Sequence, residues 1–208
     1  MDPRKKDSFL TILSDLYPNP RSELNFKNPY QLLVAVVLSA QCTDKKVNQV
    51  TPSLFKQYKN FKVLASAKVT ELQQIIKPIN YYRTKAKNLI ACALKITNEF
   101  SGKIPSNHEE LILLPGVGRK TANVVLGELG HAQTLPVDTH VMRVSKRLGL
   151  SGGRNPLETE KELQAIFKPE LWRNLHHWLI LHGRRVCKAR NPNCSECALR
   201  KLCPSSDY

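Results

Sequence analysis

The sequence predicts a mostly α-helical fold, and three observations predict it. Its 13 prolines divide the chain into segments whose apolar residues recur at spacings of three and four. No stretch keeps a two-residue alternation for long. No Asn-Gly or Asp-Gly pair marks a hairpin.

Taken in order, the first clear helix opens at Asn28-Pro29, with Asn as the cap and Pro at the first helical position. From Tyr30 to Ala40 nine of eleven residues are apolar, which predicts burial on all sides. Val34, Val36 and Val37 would suit a strand, but an unbroken run of this length favours helix. Leu89, Cys92 or Ala93, Ile96 and Phe100 mark a second helix, and Ala122, Val125, Leu126 and Leu129 a third. Val141, Val144 and Leu148 mark a fourth, and Leu171, Leu175, Trp178 and Leu179 a fifth. Composition reveals no repeat, no low-complexity linker and no domain boundary.

Lys plus Arg number 32 and Asp plus Glu 17 in 208 residues, a formal net charge of +15. Such an excess favours a polyanionic partner, because bound Lys and Arg release the counterions condensed on phosphates. The positive charges are spread along the whole chain rather than gathered on one amphipathic stretch, which argues against a membrane surface. The longest apolar run, Leu32 to Leu38, is seven residues, well short of the ~18–20 a membrane span requires. Met1 to Asp7 leads into no signal-type apolar core. The expectation is an intracellular, non-secreted and monomeric protein, cytoplasmic and nucleoid-associated if bacterial.

Four of six cysteines fall in the last 22 residues, Cys187, Cys194, Cys197 and Cys203, spaced C-x6-C-x2-C-x5-C. Disulfides fit poorly with an intracellular chain. A four-thiolate zinc site usually joins two close cysteine pairs, and only Cys194 and Cys197 form one here. Single cysteines at wider gaps suit a larger object such as a cubane iron–sulfur cluster, and zinc stays open as the rival. Cys42 and Cys92 read as small core residues. His176, His177 and His182 lack metal-binding spacing and read as structural or phosphate-facing.

Leu114-Pro115-Gly116-Val117-Gly118-Arg119-Lys120-Thr121 lies between two helical patterns. Its glycine spacing fits neither a P-loop nor a dinucleotide fingerprint. A tight helix–hairpin–helix turn remains, in which Gly116 and Gly118 give backbone freedom and bare their amides to a phosphate at the next helix's N-terminus. An ordinary connection, with Gly116 as a C-cap, is the plainer alternative. Lys120 beside Arg119, near the positive end of that helix and with any burial, would have its ammonium disfavoured. A neutral amine is what Schiff-base chemistry needs. Asp138 precedes another helix and reads by default as its N-cap, a role compatible with an active-site carboxylate.

Together these residues resemble the endonuclease III family of DNA glycosylase/AP lyases over roughly Leu24 to Cys203. The resemblance is carried by Leu38-Ser39-Ala40-Gln41-Cys42-Thr43-Asp44, by the segment from Leu114 to Asn123, by Val137-Asp138-Thr139-His140-Val141-Met142-Arg143-Val144, by His176 to Gly183, and by the terminal cysteines. It implies a two-lobed all-α fold: a six-helix bundle over residues 22–132, and a lobe joining residues 1–21 to 133–208. The second lobe would hold a [4Fe–4S] cluster in the loop 187–203. DNA would lie across the cleft between them. Lys120 matches the family's nucleophile and Asp138 its catalytic carboxylate. The implied substrate is duplex DNA containing oxidised or damaged pyrimidines or abasic sites. The damaged base would be flipped out, displaced by Lys120, and the strand cut by β-elimination.

Gln41 matches the position that fills the gap left by the flipped base, and Tyr81 the opposing wedge. Here the chain departs from the family pattern, because Asn80-Tyr81-Tyr82 stands where glycine, an apolar residue and tyrosine are expected. Asn80 tolerates left-handed geometry, so the turn can survive. Tyr81 would stack on bases, or else only pack against the protein. Gly116, Gly118, Arg119, Thr121 and His140 are the remaining expected DNA contacts, with Lys188 and Arg190 facing phosphates from the cysteine loop. Two alternatives are an adenine-specific monofunctional glycosylase and a non-catalytic helix–hairpin–helix DNA-binding protein. The presence of Lys120, and a chain ending five residues after Cys203, count against the first. Lys120 and Asp138 together count against the second.

Overall fold

The computed structural model describes residues 3–206, and its regular structure is helical, with no strand among the described residues. Residues 1–2 and 207–208, the extreme ends of the expected cluster domain, lie outside them. Its helices are α1 (Pro3–Leu16), α2 (Pro29–Ser39), α3 (Asp44–Gln57), α4 (Phe61–Ala65), α5 (Val69–Ile75), α6 (Tyr82–Glu99), α7 (His108–Leu111), α8 (Arg119–Leu129), α9 (Thr139–Arg147), α10 (Pro156–Ile166) and α11 (Trp172–Arg185). No helix among the described residues is long and apolar enough to cross a membrane. The chain divides into two compact units, Ser22–Ala132, and Met1–Arg21 with Gln133–Tyr208.

The first unit is built around α2. Asn28 accepts a hydrogen bond from the Gln31 amide and Pro29 presets the first turn. Every residue from Leu32 to Leu38 is buried, as α3, α6 and α8 pack against this helix. The three valines are helical despite their strand preference, because burial outweighs the few tenths of a kcal/mol by which propensity disfavours them. Pro52 lies inside α3 instead of ending it. It is exposed, on the side where a lost backbone bond is tolerated. α8 ends where Gly130 turns left-handed and the His131 amide bonds the Leu126 carbonyl.

The second unit has its own core of Phe9, Leu13, Tyr17, Val141, Val144, Leu163, Leu175, Trp178 and Leu179. α9 packs on α11, and Gly183 allows the approach. A Cβ there would lie 3.0 Å from Val144 Cγ2 and 3.1 Å from both Arg143 Nη2 and His140 Nδ1. Trp178 Nε1 donates to the Tyr17 carbonyl at 3.0 Å, tying α11 to the end of α1.

Leu33→Ala is expected to cost about 3 kcal/mol, since the cavity forms in a fully enclosed site. The exposed Leu94 replaced by Ala should change stability by less than about 1 kcal/mol. The urea midpoints of the two variants check this.

Candidate functional site

The turn before α8 is anchored by Leu114 and Val117, both buried, with the Val117 amide bonded to the Leu114 carbonyl at 3.0 Å. Between them Gly116 adopts φ +83°, and a Cβ there would lie 3.0 Å from Asn88 Cβ on α6. Gly116 is therefore required twice over, by handedness and by space. Gly118 differs from expectation. Its φ of −94° and ψ of 175° are extended values open to any residue. As the residue that starts α8 it brings no side chain to cap it, and the space where a Cβ would sit is open. Arg119 and Lys120 follow as the first two residues of α8, both exposed, with Thr121 half-buried.

Asp138 caps α9: its Oδ1 accepts from the amides of His140 and Val141, each at 2.8 Å. These two bonds hold the half-buried carboxylate in one orientation. His140 is half-buried, and burial lowers its pKa, with the Asp138 charge opposing. Its Nδ1 lies 3.1 Å from Arg143 Nη2. A guanidinium only donates, so Nδ1 accepts and the proton of the neutral ring sits on Nε2.

Gln41, at the end of α2, and Tyr81, at the start of α6, are both left-handed, with φ of 54° and 58°. The left-handed position was expected at Asn80 and falls instead one residue later. Asn80 is used otherwise: its Nδ2 donates to the Gln41 carbonyl at 2.7 Å. Tyr81 is 67% exposed, so packing against the protein does not account for it.

Cys187, Cys194, Cys197 and Cys203 line one cavity of about 360 Å³, together with His182, Arg147 and Arg200. All six cysteines of the chain are free thiols, and Cys92 behaves as a core residue, its thiol pushed up to about 12 by burial. Among the described residues no three His, Cys, Asp or Glu side chains close on a single ion position. Four thiol side chains lining one cavity are a donor set that suits one thiolate per iron of an iron–sulfur cluster. Burial raises the Cys197 and Cys203 thiols, and the other cysteines of the group add to it. A cationic core would offset both effects.

Two arginines with no role expected from the sequence, Arg143 and Arg147, brace this loop. Arg147 donates to the carbonyls of Lys188 (2.6 Å) and Ala189 (3.0 Å) and lies 3.4 Å from Cys187 Sγ. Arg143 donates to the carbonyls of Gly183 and Cys187. Their spacing of four on α9 was the available signal. Lys188 and Arg190 stand exposed on the braced loop. His182, pushed down to about 4 by burial, lies 3.2 Å from Tyr17 Oη and 3.5 Å from Cys197 Sγ. His176 is buried against the Pro136 carbonyl. The three histidines of α11 are interior groups, and none faces a phosphate from the surface.

Residues 34–169 match the family model of the HhH-GPD superfamily of base excision DNA repair proteins. The chain is 45% identical to endonuclease III of Synechocystis sp. over 98% of its own length and 93% of the relative's. It is 47% identical to endonuclease III of Bacillus subtilis over 93% of its length and 89% of the relative's. In structure it is similar to a trapped endonuclease III–DNA covalent intermediate, with a TM-score of 0.92, 41% identity, and coverage of 99% of this chain and 98% of the other.

The cap geometry sets an expectation for Asp138. Asp138→Ala should lower stability by about 1 kcal/mol, and Asp138→Asn, which keeps an accepting oxygen, by a few tenths at most. Thermal denaturation of the two variants measures the difference.

Proposed function

The chain belongs to the endonuclease III family of the HhH-GPD superfamily of base excision DNA repair proteins, and on that premise we propose how its residues act. It is a DNA glycosylase with an associated AP lyase activity, acting on damaged pyrimidines in duplex DNA. The net charge of +15 draws it to the phosphate backbone. The observation that carries the residue assignment is Lys120 standing at the second position of α8, directly behind the left-handed Gly116 turn.

In this reading the Gly116–Gly118 segment and the start of α8 take a DNA phosphate, with Arg119 and Thr121 beside it. Lys188, Arg190 and His140 are further DNA contacts. Gln41 fills the gap left by the extruded nucleotide and Tyr81 stacks on the bases that remain. A lesion that pairs and stacks poorly is extruded at lower cost, one source of selectivity.

Lys120 Nζ, as the free amine, attacks C1′ of the deoxyribose. The bond from C1′ to the base breaks, and the base leaves with the electron pair. Asp138 stabilises the positive charge that develops on the sugar and takes up the proton lost by the attacking amine. Ring opening gives an imine between Nζ and C1′, whose protonated form acidifies C2′. Loss of a C2′ proton then expels the 3′ phosphate by β-elimination, and water later frees Lys120. A single nucleophile accounts for both activities.

The four cysteines are proposed as the thiolate ligands of a [4Fe–4S] cluster, on the support of their shared cavity and their spacing along the chain. Bound there, the cluster supplies a covalent cross-link, and Arg143 and Arg147 hold the loop that carries Lys188 and Arg190. The chemistry of base removal needs only Lys120 and Asp138. We take the protein to act as a monomer.

Borohydride added during turnover on a thymine-glycol duplex should trap a covalent protein–DNA adduct. Lys120→Ala should yield none, and trapping equal to wild type would remove Lys120 from the nucleophile's role. Asp138→Asn should slow base release by about 100-fold while DNA affinity stays within about threefold. Single-turnover cleavage and a gel-shift titration separate the two effects.

The purified protein should be yellow-brown and carry about four irons per chain. A colourless preparation with one zinc per chain would overturn the cluster assignment.

A further inference from the structure

Left-handed backbone is uncommon for residues other than glycine and costs about 1 kcal/mol or more at each. Gln41 and Tyr81 both adopt it, on separate elements of the same unit, so the surroundings must hold them there. Lys85 is the centre of that hold. It lies one turn into α6, its amide bonded to the Tyr81 carbonyl at 3.0 Å, and its residue is 7% exposed. Its Nζ donates to the Leu38 carbonyl at 2.7 Å and to the Ala40 carbonyl at 2.5 Å. Those carbonyls close α2, one of them immediately before Gln41. Asn80, on the other side of Tyr81, donates to the Gln41 carbonyl itself. The side chains flanking Tyr81 thus bind the carbonyls of residues 38, 40 and 41.

A buried ammonium is costly unless its donors are satisfied. Here burial lowers the Lys85 pKa, with the Cys42 thiol opposing. What the charge gains is the negative end of α2, where a cation is favoured. An apolar side chain could fill the same volume without gripping the carbonyls.

We propose that Lys85 is a positioning residue for base extrusion, which, with Asn80, locks Gln41 and Tyr81 into one rigid pair before DNA arrives. The two probing side chains then need no ordering of their backbones on binding, and that saving goes to the extruded state. The inference rests on the reading of Gln41 and Tyr81 as the residues that replace and stack against the flipped nucleotide.

The test uses the full-length, cluster-containing protein and two substrates. One is a thymine-glycol duplex with 2-aminopurine beside the lesion, reporting extrusion by fluorescence. The other is a duplex with a preformed abasic site, which has no base to extrude. Lys85→Met should slow both the fluorescence rise and base excision by about 100-fold, the scale set by misplacing a positioned group by an ångström. Strand cleavage at the preformed abasic site should stay within threefold of wild type. Asn80→Ala, at an exposed position that does not threaten folding, should show the same split at about 5-fold, since one of the three bonds is lost.

Equal slowing of excision and abasic cleavage would overturn the inference. So would wild-type extrusion in Lys85→Met accompanied only by a lower melting temperature. If Lys85→Met does not fold, Asn80→Ala decides, and unchanged extrusion in it overturns the proposal. A wild-type protein that neither extrudes nor cuts overturns the underlying reading and the inference together. A wild-type protein that does both, beside variants that extrude as fast, overturns the inference alone.

Discussion

Helix ends are the constraint on which this structure turns. An α-helix leaves amides unpaired at its start and carbonyls unpaired at its finish, and each end must be closed by something. Asn28, Thr43, Asn60, Asn107 and Asn155 close helix starts in the ordinary way, through a side-chain oxygen. Other ends are closed in other ways. Asp138 uses a full carboxylate where a neutral oxygen would suffice. Gly118 begins α8 with no side chain at all, and Tyr81 begins α6 from a left-handed backbone. The finish of α2 is held by the ammonium of Lys85. Asp138 is an ordinary side-chain cap that also carries a charge, whereas the starts of α6 and α8 have no side-chain cap.

The basic residues divide into two populations that net charge cannot separate. Arg119, Lys120, Lys188 and Arg190 are exposed. Lys85, Arg143 and Arg147 point their donors at backbone carbonyls within the protein. These three act as braces: one for the turn carrying Gln41, two for the loop between Cys187 and Cys194. Arginine suits the loop because its fork reaches two carbonyls at once, and lysine suits the narrow end of α2 because its ammonium is compact. Part of the positive excess therefore braces the protein's own backbone.

Much of the helical framework was legible in the chain, because apolar spacing reports which face is buried. The helices marked by Leu89 to Phe100, Ala122 to Leu129 and Val141 to Leu148 are α6, α8 and α9. Short elements such as α4 and α7 were not visible, since one or two turns cannot establish a period. Pro52 inside α3 shows the limit of reading prolines as boundaries. Of the proposed site residues, Gly116, Lys120 and Asp138 stood out through a local motif. Asn80 was misread as the left-handed residue, because tolerance of a conformation is a local property while its use at Tyr81 is set by the contact between Asn80 and Gln41.

By itself the sequence determined the helical class, the excess of positive charge and the order of the motifs. All of these are properties of short segments or of the chain as a sum. Only the tertiary structure decided that Arg143 and Arg147 brace the loop that carries Cys187 and Cys194. Likewise it decided that Gly183 makes room for His140 and Arg143, and that a lysine in α6 closes a helix that ended more than forty residues earlier. Such pairings depend on which surfaces meet after packing, and no periodicity along the chain encodes a partner's position in space.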